Sequence, residues 1–279
     1  MRTAVRLICV YRALAAGAFF VLLRSALAAD GPVSIVVLKE HGVGNQALAQ
    51  PYLDRMVTLA AKQNGWPGGA NGKYFTSRSV ADAFIKSAHP HYGILSLPAF
   101  LAMREPYHLD VIGKVAVSLA GGRRYYLISK TADDLNGCKG KTLATDHADD
   151  PRFIDKVVFG RQVALADFTM VPTQRPLQTI KEVLTDKAQC ALIDDAQKDQ
   201  LEHLQDKDGA HVVWASAELP PMPVVAFADA PAAERKQFKH NLDAVCSDEG
   251  KSACAEVGID DLTGADDDEY AAIVRAYGK

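Results

Sequence analysis

The sequence lacks the short motifs that identify several classes of enzyme. It contains no Gly-x-Ser-x-Gly nucleophile elbow, no His-Glu-x-x-His zinc motif and no phosphate-binding P-loop. It also contains no Cys-x-x-Cys pair, so a thioredoxin-like redox role is not expected. Asp146 and His147 could form part of a catalytic triad beside a serine. Without an elbow, however, the sequence does not predict an enzyme.

Long apolar runs are absent as well. The run from Ala13 to Leu23 is too short to cross a bilayer, which needs about 20 residues. Three arginines precede this run and the segment Ser-Ala-Leu-Ala (25–28) follows it, which is the order of a secretory signal peptide. Cys9 lies before the run, so the lipoprotein type of signal is not indicated. We expect cleavage after Ala28 and a soluble periplasmic protein; an uncleaved anchor is the alternative.

Acidic residues are missing from this predicted leader, residues 1–28, which holds four arginines. Its removal changes the formal net charge from −3 to −7, because four positive charges leave with it. An acidic protein is a poor match for nucleic acid or for an anionic membrane surface. We therefore expect neither of them as a partner.

Cysteines are few, and four remain after the leader. An even number in an exported chain favours disulfides over metal ligands. Cys138 and Cys190 each precede a predicted strand, and their strands would bring them together if they were parallel neighbours. Cys246 and Cys254 are eight residues apart and would close a small loop. The predicted pairing is 138–190 and 246–254.

Predicted strands and helices alternate along the mature chain, which is typical of an α/β fold with mostly parallel sheets. Two extended crossings, near residues 119–124 and 216–222, indicate two lobes. We predict one lobe from residues 29–120 plus 221–279 and a second lobe from 121–220. Each lobe would be a sheet flanked by helices, with the crossings as hinges.

The segment from Leu135 to Phe159 contains the first candidate site. A short apolar strand ends at Thr145, a polar loop follows, and Pro151 begins a helix that Asp150 is suited to cap. In open α/β sheets, ligands bind beside the loops at the carboxyl ends of strands. This loop is therefore predicted to contact a ligand.

Other candidate contacts lie near predicted strand ends or helix starts. Each has a structural alternative: Thr76, Ser77 and Arg78 could simply begin a helix, one of Asp194 and Asp195 could cap the next helix, and two adjacent strand tyrosines must face opposite sides. The full set of predicted ligand contacts is His41, Thr76, Ser77, Arg78, Ser96, Tyr125, Tyr126, Thr145, Asp146, His147, Asp149, Asp194 and Asp195.

Histidines and aspartates together could form a transition-metal site. The candidate ligands are His41, His89, His91 and His147. Their spacing matches no compact metal motif, so scattered surface histidines are the preferred interpretation. We predict neither a metal nor a cofactor.

Several segments, in this order, resemble the periplasmic solute-binding proteins of phosphonate ABC transporters. They are Leu-Ile-Ser (127–129) before Asp-Leu-Asn-Gly-Cys-Lys-Gly-Lys-Thr-Leu-Ala (134–144), then 179–183 with 188–194, and then Ser-Ala-Glu-Leu-Pro (216–220). The resemblance implies the two-lobed type 2 periplasmic binding fold. It also implies a small ligand, phosphate or phosphonate, that is captured between the lobes and delivered to an ABC permease. We expect the protein to be a monomer.

The loop after the central strand departs from that pattern. Phosphonate binders have serine and threonine there, whereas this chain has Asp146, Asp149 and Asp150. Two charges 4 Å apart interact by about 4 kcal/mol at an effective dielectric of 20, so these carboxylates would oppose a dianion. Either they point elsewhere or the ligand is not a phosphonate. A neutral, cationic or hydrophobic ligand of a sensor or lipid-handling system, or a cleft hydrolase, remains open.

Overall fold

A computed structural model describes residues 31–40, 46–117, 122–204, 209–256 and 258–278. The predicted leader and the candidate His41 lie outside these residues. The strands are β1 Val33–Leu38, β2 Ala70–Phe75, β3 Tyr92–Leu95, β4 Asp110–Ala116, β5 Tyr125–Ser129, β6 Thr142–Thr145, β7 Thr169–Pro172, β8 Cys190–Asp194, β9 His211–Ala215, β10 Pro223–Ala226 and β11 Asp261–Gly264.

Helices cover both sheets. They are α1 Gln46–Asn64, α2 Arg78–Ala88, α3 Leu97–Met103, α4 Leu135–Cys138, α5 Pro151–Phe153, α6 Pro176–Leu184, α7 Asp195–His203, α8 Ala232–Val245, α9 Gly250–Glu256 and α10 Asp267–Gly278. The turn after α5 is π-helical, over Ile154–Val158, and a 3-10 turn spans Leu165–Asp167. None of the described helices is both long and apolar enough to span a membrane.

The strands form two sheets, one in each lobe. The first has the order β11-β4-β10-β3-β1-β2 and the second the order β7-β6-β8-β5-β9. Four strands of six in the first sheet and four of five in the second point the same way, because only β10 and β11 in the first and β5 in the second are reversed. The α/β, two-lobed, mostly parallel architecture is therefore confirmed.

The reversed strands β5 and β10 are the ones that follow the crossings between the sheets. The two crossings run side by side, since the Leu219 N–H donates to the Arg123 carbonyl (2.8 Å) and Arg123 Nε donates to the Leu219 carbonyl (2.7 Å). Part of the first crossing, residues 118–121, is outside the described residues. The domain boundaries near residues 120 and 220 remain a prediction.

A single apolar core joins the two lobes. Leu38 of β1, Leu127 of β5, Leu143 of β6 and Phe159 are fully buried and belong to one cluster. Burial on both faces explains why four consecutive residues of β1, 35–38, are apolar and do not alternate with polar ones. A second cluster fills the first lobe around Tyr92, and a third fills the second lobe around Ile180. The first cluster is the one that contains residues of both lobes.

Helix α10 contacts both lobes. Near its start, Asp267 accepts a hydrogen bond from Arg104 Nη2 of the first lobe (3.0 Å). At its end, Arg152 of the second lobe donates to the carbonyls of Tyr277 (2.8 Å) and Gly278 (3.1 Å). Carbonyls in the last turn of a helix lack helical partners and carry partial negative charge, so a guanidinium is a good partner for them.

Both predicted disulfides are confirmed. Cys138 and Cys190 are bonded with their Cα atoms 6.1 Å apart, and Cys246 and Cys254 with theirs 5.6 Å apart. The reason given for the first pair also holds, because β6 and β8 are parallel neighbours.

Two elements differ from what the sequence pattern indicates. The largely polar residues from Pro231 to Tyr277 predict helix throughout, and this prediction is wrong because the edge strand β11 interrupts it. The four residues Asp-Leu-Thr-Gly (261–264) carry no strand pattern of their own, and β11 exists because β4 pairs with it. The sequence pattern also indicates no helix after the strand that ends at Ser-Leu-Pro (96–98), yet α3 begins there. Pro98 lies in its first turn, where the missing N–H costs nothing.

Candidate functional site

A cleft of about 1140 Å³ separates the two lobes on one side of the molecule. The first lobe lines it with residues before and at the start of α2, and the second lobe with the loops after β6 and β7 and with one face of α7. The lining residues are Glu40, Thr76, Ser77, Arg78, Ser79, Asp146, Asp149, Gln174, Arg175, Pro176, Leu177, Asp199, Gln200, His203 and Leu204.

Two helices begin at this cleft from opposite lobes. Ser77 occupies the N-cap position of α2, but its hydroxyl lies 3.1 Å from the Ser79 hydroxyl and does not cap the helix. Arg175 occupies the N-cap position of α6 and makes no side-chain cap either. The first-turn N–H groups of α2 and the helix dipoles of α2 and α6 together form a suitable environment for an anion. The first turn of α6 offers fewer N–H groups, because Pro176 has none and the Gln178 N–H donates to the Arg175 carbonyl (3.0 Å).

Arg78 is bound to carboxylates of the protein itself. Its Nε and Nη2 donate to the two oxygens of Glu40 (2.7 and 2.9 Å), and its Nη1 donates to Asp150 Oδ2 (2.8 Å). Burial alone would lower the pKa of Arg78, but the hydrogen bonds that it donates to Glu40 and Asp150, together with their negative charges, raise it above the ordinary value. One positive and two negative charges leave this cluster with a net charge of −1, so Arg78 does not supply an uncompensated cation to the cleft.

Asp150 holds the start of the helix after the central strand. Its Oδ1 accepts from the Phe153 N–H (3.0 Å) and caps α5, as the sequence predicts. Its Oδ2 accepts from Arg78 and from the Tyr277 hydroxyl (3.2 Å). Burial and the neighbouring Asp150 raise the pKa of Tyr277. The helix start to which phosphonate binders are expected to bind their ligand is therefore occupied by the chain's own carboxylate.

Asp146 is a buried carboxylate at the wall of the cleft, with 2% of its side chain exposed. Its Oδ1 accepts hydrogen bonds from Thr179 Oγ1 and Gln197 Nε2, both at 2.9 Å. Among the described residues, no donor lies within hydrogen-bond distance of Oδ2. The two donors to Oδ1 therefore fix the orientation of the carboxylate and leave its second oxygen without a partner from these residues.

His147 is also buried, but it belongs to the network behind the cleft wall. Its Nε2 lies 2.9 Å from Gln197 Oε1, 3.8 Å from Asp146 Oδ1 and 3.9 Å from Asp194 Oδ2. Its backbone N–H donates to Thr145 Oγ1 (3.1 Å), which shapes the loop. These contacts orient the loop that carries Asp146 and give no support to a cleft hydrolase.

Asp194 and Asp195 have different structural roles. Asp194 caps α7 in a capping box, since its Oδ1 accepts from the Gln197 N–H (2.8 Å) and its own N–H donates to Gln197 Oε1 (2.9 Å). Asp195 Oδ1 accepts from the Arg123 N–H (3.2 Å) at the first crossing. Burial and the charge of Asp194 raise the pKa of Asp195.

The two tyrosines face opposite sides of β5, as expected. Tyr125 is buried against the His147 ring, with 5.2 Å between the ring centroids, and burial followed by the charge of Asp194 raises its pKa. Tyr126 is half-buried, with Lys198 Nζ 5.5 Å from its ring centroid.

Ser96 is buried and donates to Glu40 Oε2 (2.9 Å).

The metal hypothesis is not supported by the described residues, which contain no group of three or more histidines, cysteines or acids able to hold an ion. His91 Nδ1 accepts from the Ser34 N–H (3.1 Å), and His89 lies 3.4 Å from Asp229 on the surface.

The structure thus brings only part of the predicted set to the cleft. Five members line it, namely Thr76, Ser77, Arg78, Asp146 and Asp149. Others lie behind or away from its described lining, namely Ser96, Tyr125, Tyr126, Thr145, His147, Asp194 and Asp195. Ligand contact by any of them remains a prediction.

The sequence analysis missed the loop 174–177 and the exposed face of α7. Thr145 of β6 lies opposite Pro172 of β7 in a parallel pair, so the loops that follow these strands are adjacent. Applying the strand-end rule to β7 as well as to β6 would have found Gln174 and Arg175. No local pattern distinguishes the cleft-facing residues of α7 from any polar helix face.

A family model described as the periplasmic substrate-binding protein of a phosphonate ABC transporter matches residues 116–270. The match spans 155 of the 279 residues, more than half of the chain. The chain belongs to this family. Its members are periplasmic and deliver a small-molecule ligand to the permease of an ABC transporter. No curated protein sequence matches the chain significantly.

Solved structures support the same two-lobed fold. A binding protein of a phosphonate ABC transporter from Pseudomonas aeruginosa is 13% identical, with a TM-score of 0.64 over 88% of this chain and 85% of that chain. A Prochlorococcus marinus protein in complex with methylphosphonate is 12% identical, with a TM-score of 0.62 over 88% and 97%. A Xanthomonas citri protein bound to ATP is 10% identical, with a TM-score of 0.70 over 88% and 96%. At these identities the likeness concerns the fold alone.

Proposed function

We propose that this phosphonate-family binding protein is exported by its leader, residues 1–28, and captures a small oxyanion of the phosphonate or phosphate type between its lobes. It acts as a monomer without catalysis and presents the ligand to an ABC permease. The observation that carries the proposal is the pair of helix starts, α2 and α6, that meet one interlobe cleft without side-chain caps.

The acidic residues of the loop after β6 oppose an anion less than the sequence suggests. Asp150, one of the three, is directed to Arg78 and to α5. Donors that remain for a ligand include the hydroxyls of Thr76, Ser77 and Ser79. Arg175 is exposed at the cleft and makes no ion pair with any described residue, so it can neutralise the ligand. The comparisons do not favour a neutral, cationic or hydrophobic ligand.

The paired crossings support a hinge for ligand capture. The hydrogen bonds between Arg123 and Leu219 join the crossings at one place, and a rotation there opens and closes the lobes. On this basis residues 29–120 plus 221–279 move against residues 121–220.

A thermal-shift and calorimetric screen of the mature protein tests the proposed function. Methylphosphonate and inorganic phosphate should raise the melting temperature, because a ligand at a thousandfold excess over its Kd stabilises the fold by about 4 kcal/mol. Ethanolamine, zinc chloride and short-chain lipids serve as the competing probes. A response to these alone, without any response to the oxyanions, contradicts the proposal.

A further inference from the structure

One carboxylate oxygen in the cleft is free to accept a hydrogen bond. The side chain of Asp146 is almost completely buried, and its Oδ1 is held by Thr179 and Gln197. A carboxylate can only accept hydrogen bonds, and Asp146 lines the cleft without belonging to the fully enclosed polar atoms that lack a partner. Since no described residue donates to Oδ2, water or a ligand in the cleft supplies its donor.

The protonation state of an oxyanion decides whether it can meet this requirement. A fully ionised phosphonate or a sulfonate offers only acceptor oxygens, and these would face Oδ2 with like charge. A singly protonated phosphonate offers one hydroxyl that donates to Oδ2. Its other oxygens remain available to the helix starts and to the hydroxyls of Ser77 and Ser79.

We propose that the cleft selects a monoprotonated oxyanion, whose hydroxyl donates to Asp146 Oδ2, and that it rejects oxyanions without a proton, such as sulfonates. This inference rests on the proposed function, because it concerns the ligand of the same cleft. It explains why a phosphonate-family protein has an aspartate where serine or threonine was expected.

Other ionisable groups near Asp146 must be considered when ligand affinity is measured as a function of pH. Thr179 and Gln197, which donate hydrogen bonds to Asp146, are neutral. The ionisable groups lie in two places around Asp146. Those in the network behind the wall are His147, Asp194 and Tyr125. Those that line the cleft are Glu40, Arg78, Asp149, Arg175, Asp199 and His203. A change in the charge of any of these groups would alter the affinities for two oxyanions of equal size to the same extent. A comparison of two such ligands therefore reveals the effect of the proton that one of them carries.

Methylphosphonate and methanesulfonate form such a pair, and calorimetric titration at several pH values tests the proposal. Above the second pKa of methylphosphonate, its affinity should fall about tenfold per pH unit, since the dianion has lost the proton that the complex contains. Methanesulfonate at neutral pH should bind at least about 100-fold more weakly than methylphosphonate, because it brings no donor.

The variant Asp146→Asn provides the second arm. Asparagine retains an acceptor for Thr179 and Gln197 and replaces Oδ2 with an N–H donor, so the pH dependence of methylphosphonate binding should disappear and methanesulfonate should gain affinity. Asp134→Asn is the matched control, since Asp134 caps α4 (2.7 Å to the Gly137 N–H) outside the cleft lining and should leave both affinities unchanged.

Each outcome is decisive. Similar affinities for the two ligands in the wild type, or a methylphosphonate affinity that does not change above its second pKa, would overturn the inference while leaving the proposed function intact. Failure of methylphosphonate and phosphate to bind at any pH overturns both. If Asp146→Asn does not fold, the wild-type comparison of the two ligands still decides.

Discussion

Asp150 Oδ2 lies 2.8 Å from Arg78 Nη1 and thereby joins the second lobe to the first. The same carboxylate caps α5 through its other oxygen. One side chain therefore fixes a local helix start and an interlobe contact at once, and Glu40 shares the same guanidinium. The charges of Arg78, Glu40 and Asp150 therefore serve the structure of the site, whereas the charge of Arg175 remains available to a ligand.

The variant Asp150→Asn should separate the two roles. Asparagine is as good a cap as aspartate but cannot form the ion pair, so we expect a loss of about 1–2 kcal/mol in the free energy of unfolding. Glu40 continues to compensate Arg78, which keeps the loss below that of breaking a fully buried pair. Urea unfolding measures the loss. Asp134→Asn, at a cap without an interlobe partner, should change the stability by less than about 0.5 kcal/mol; equal losses in both variants would refute the interlobe role.

The hydroxyls at the start of α2 should contribute to ligand affinity. We expect Ser77→Ala and Ser79→Ala each to weaken methylphosphonate binding about tenfold, because each removes a hydrogen bond to a charged group. Isothermal calorimetry measures the change. Ser87→Ala, at the other end of the same helix, removes only a bond to the Phe84 carbonyl and should not affect affinity. Unchanged affinity in all three variants would show that the ligand lies elsewhere.

The charge on Asp195 should be unfavourable to folding at neutral pH. Its pKa is raised in the folded protein, so the folded state retains a proton in a range where the unfolded state has already lost it, and stability falls as the pH rises through this range. Asp195→Asn should therefore stabilise the protein at pH 7, by no more than about 1 kcal/mol since the side chain still contacts water. Below the ordinary carboxyl pKa the gain should vanish. Urea unfolding at both pH values checks the prediction, and destabilisation at pH 7 would contradict it.

The two disulfides should differ in their effect on stability. The chain-entropy model gives about 4 kcal/mol for the bridge 138–190, whose cysteines are 52 residues apart, and about 2.5 kcal/mol for the bridge 246–254, whose cysteines are 8 apart. Double alanine variants of each pair, compared by urea unfolding, measure the two contributions. A larger loss for the short loop would indicate that packing around Cys246 and Cys254, rather than loop length, determines the effect.

Local signals in the sequence were sufficient for features that depend on neighbouring residues. The buried run of β1, the Asp150 cap before Pro151 and the Asp194 cap of α7 follow from residue type and spacing. The pairing of Cys138 with Cys190 needed only the assumption that two strands are parallel neighbours.

Features that depend on distant residues could not be read in this way. The contacts of Arg78 join residues 38 and 72 positions apart, and β11 is a strand only because β4 lies beside it. Tyr125 satisfied the strand pattern, but only the packing of His147 and Phe153 around it shows that it belongs to the core. The sequence therefore predicted the lobes better than the surface that lines the cleft.

The end of α10 restricts how the lobes can separate. Two lobes that are joined by adjacent chain segments can rotate about a hinge axis through those segments. The contacts of Arg152 with the Tyr277 and Gly278 carbonyls add an attachment besides the two crossings and the contact between Arg78 and Asp150. Opening of the cleft must break these hydrogen bonds or move the end of α10 together with the second lobe. The lifetime of the ligand complex should therefore depend on a contact outside the described lining of the cleft.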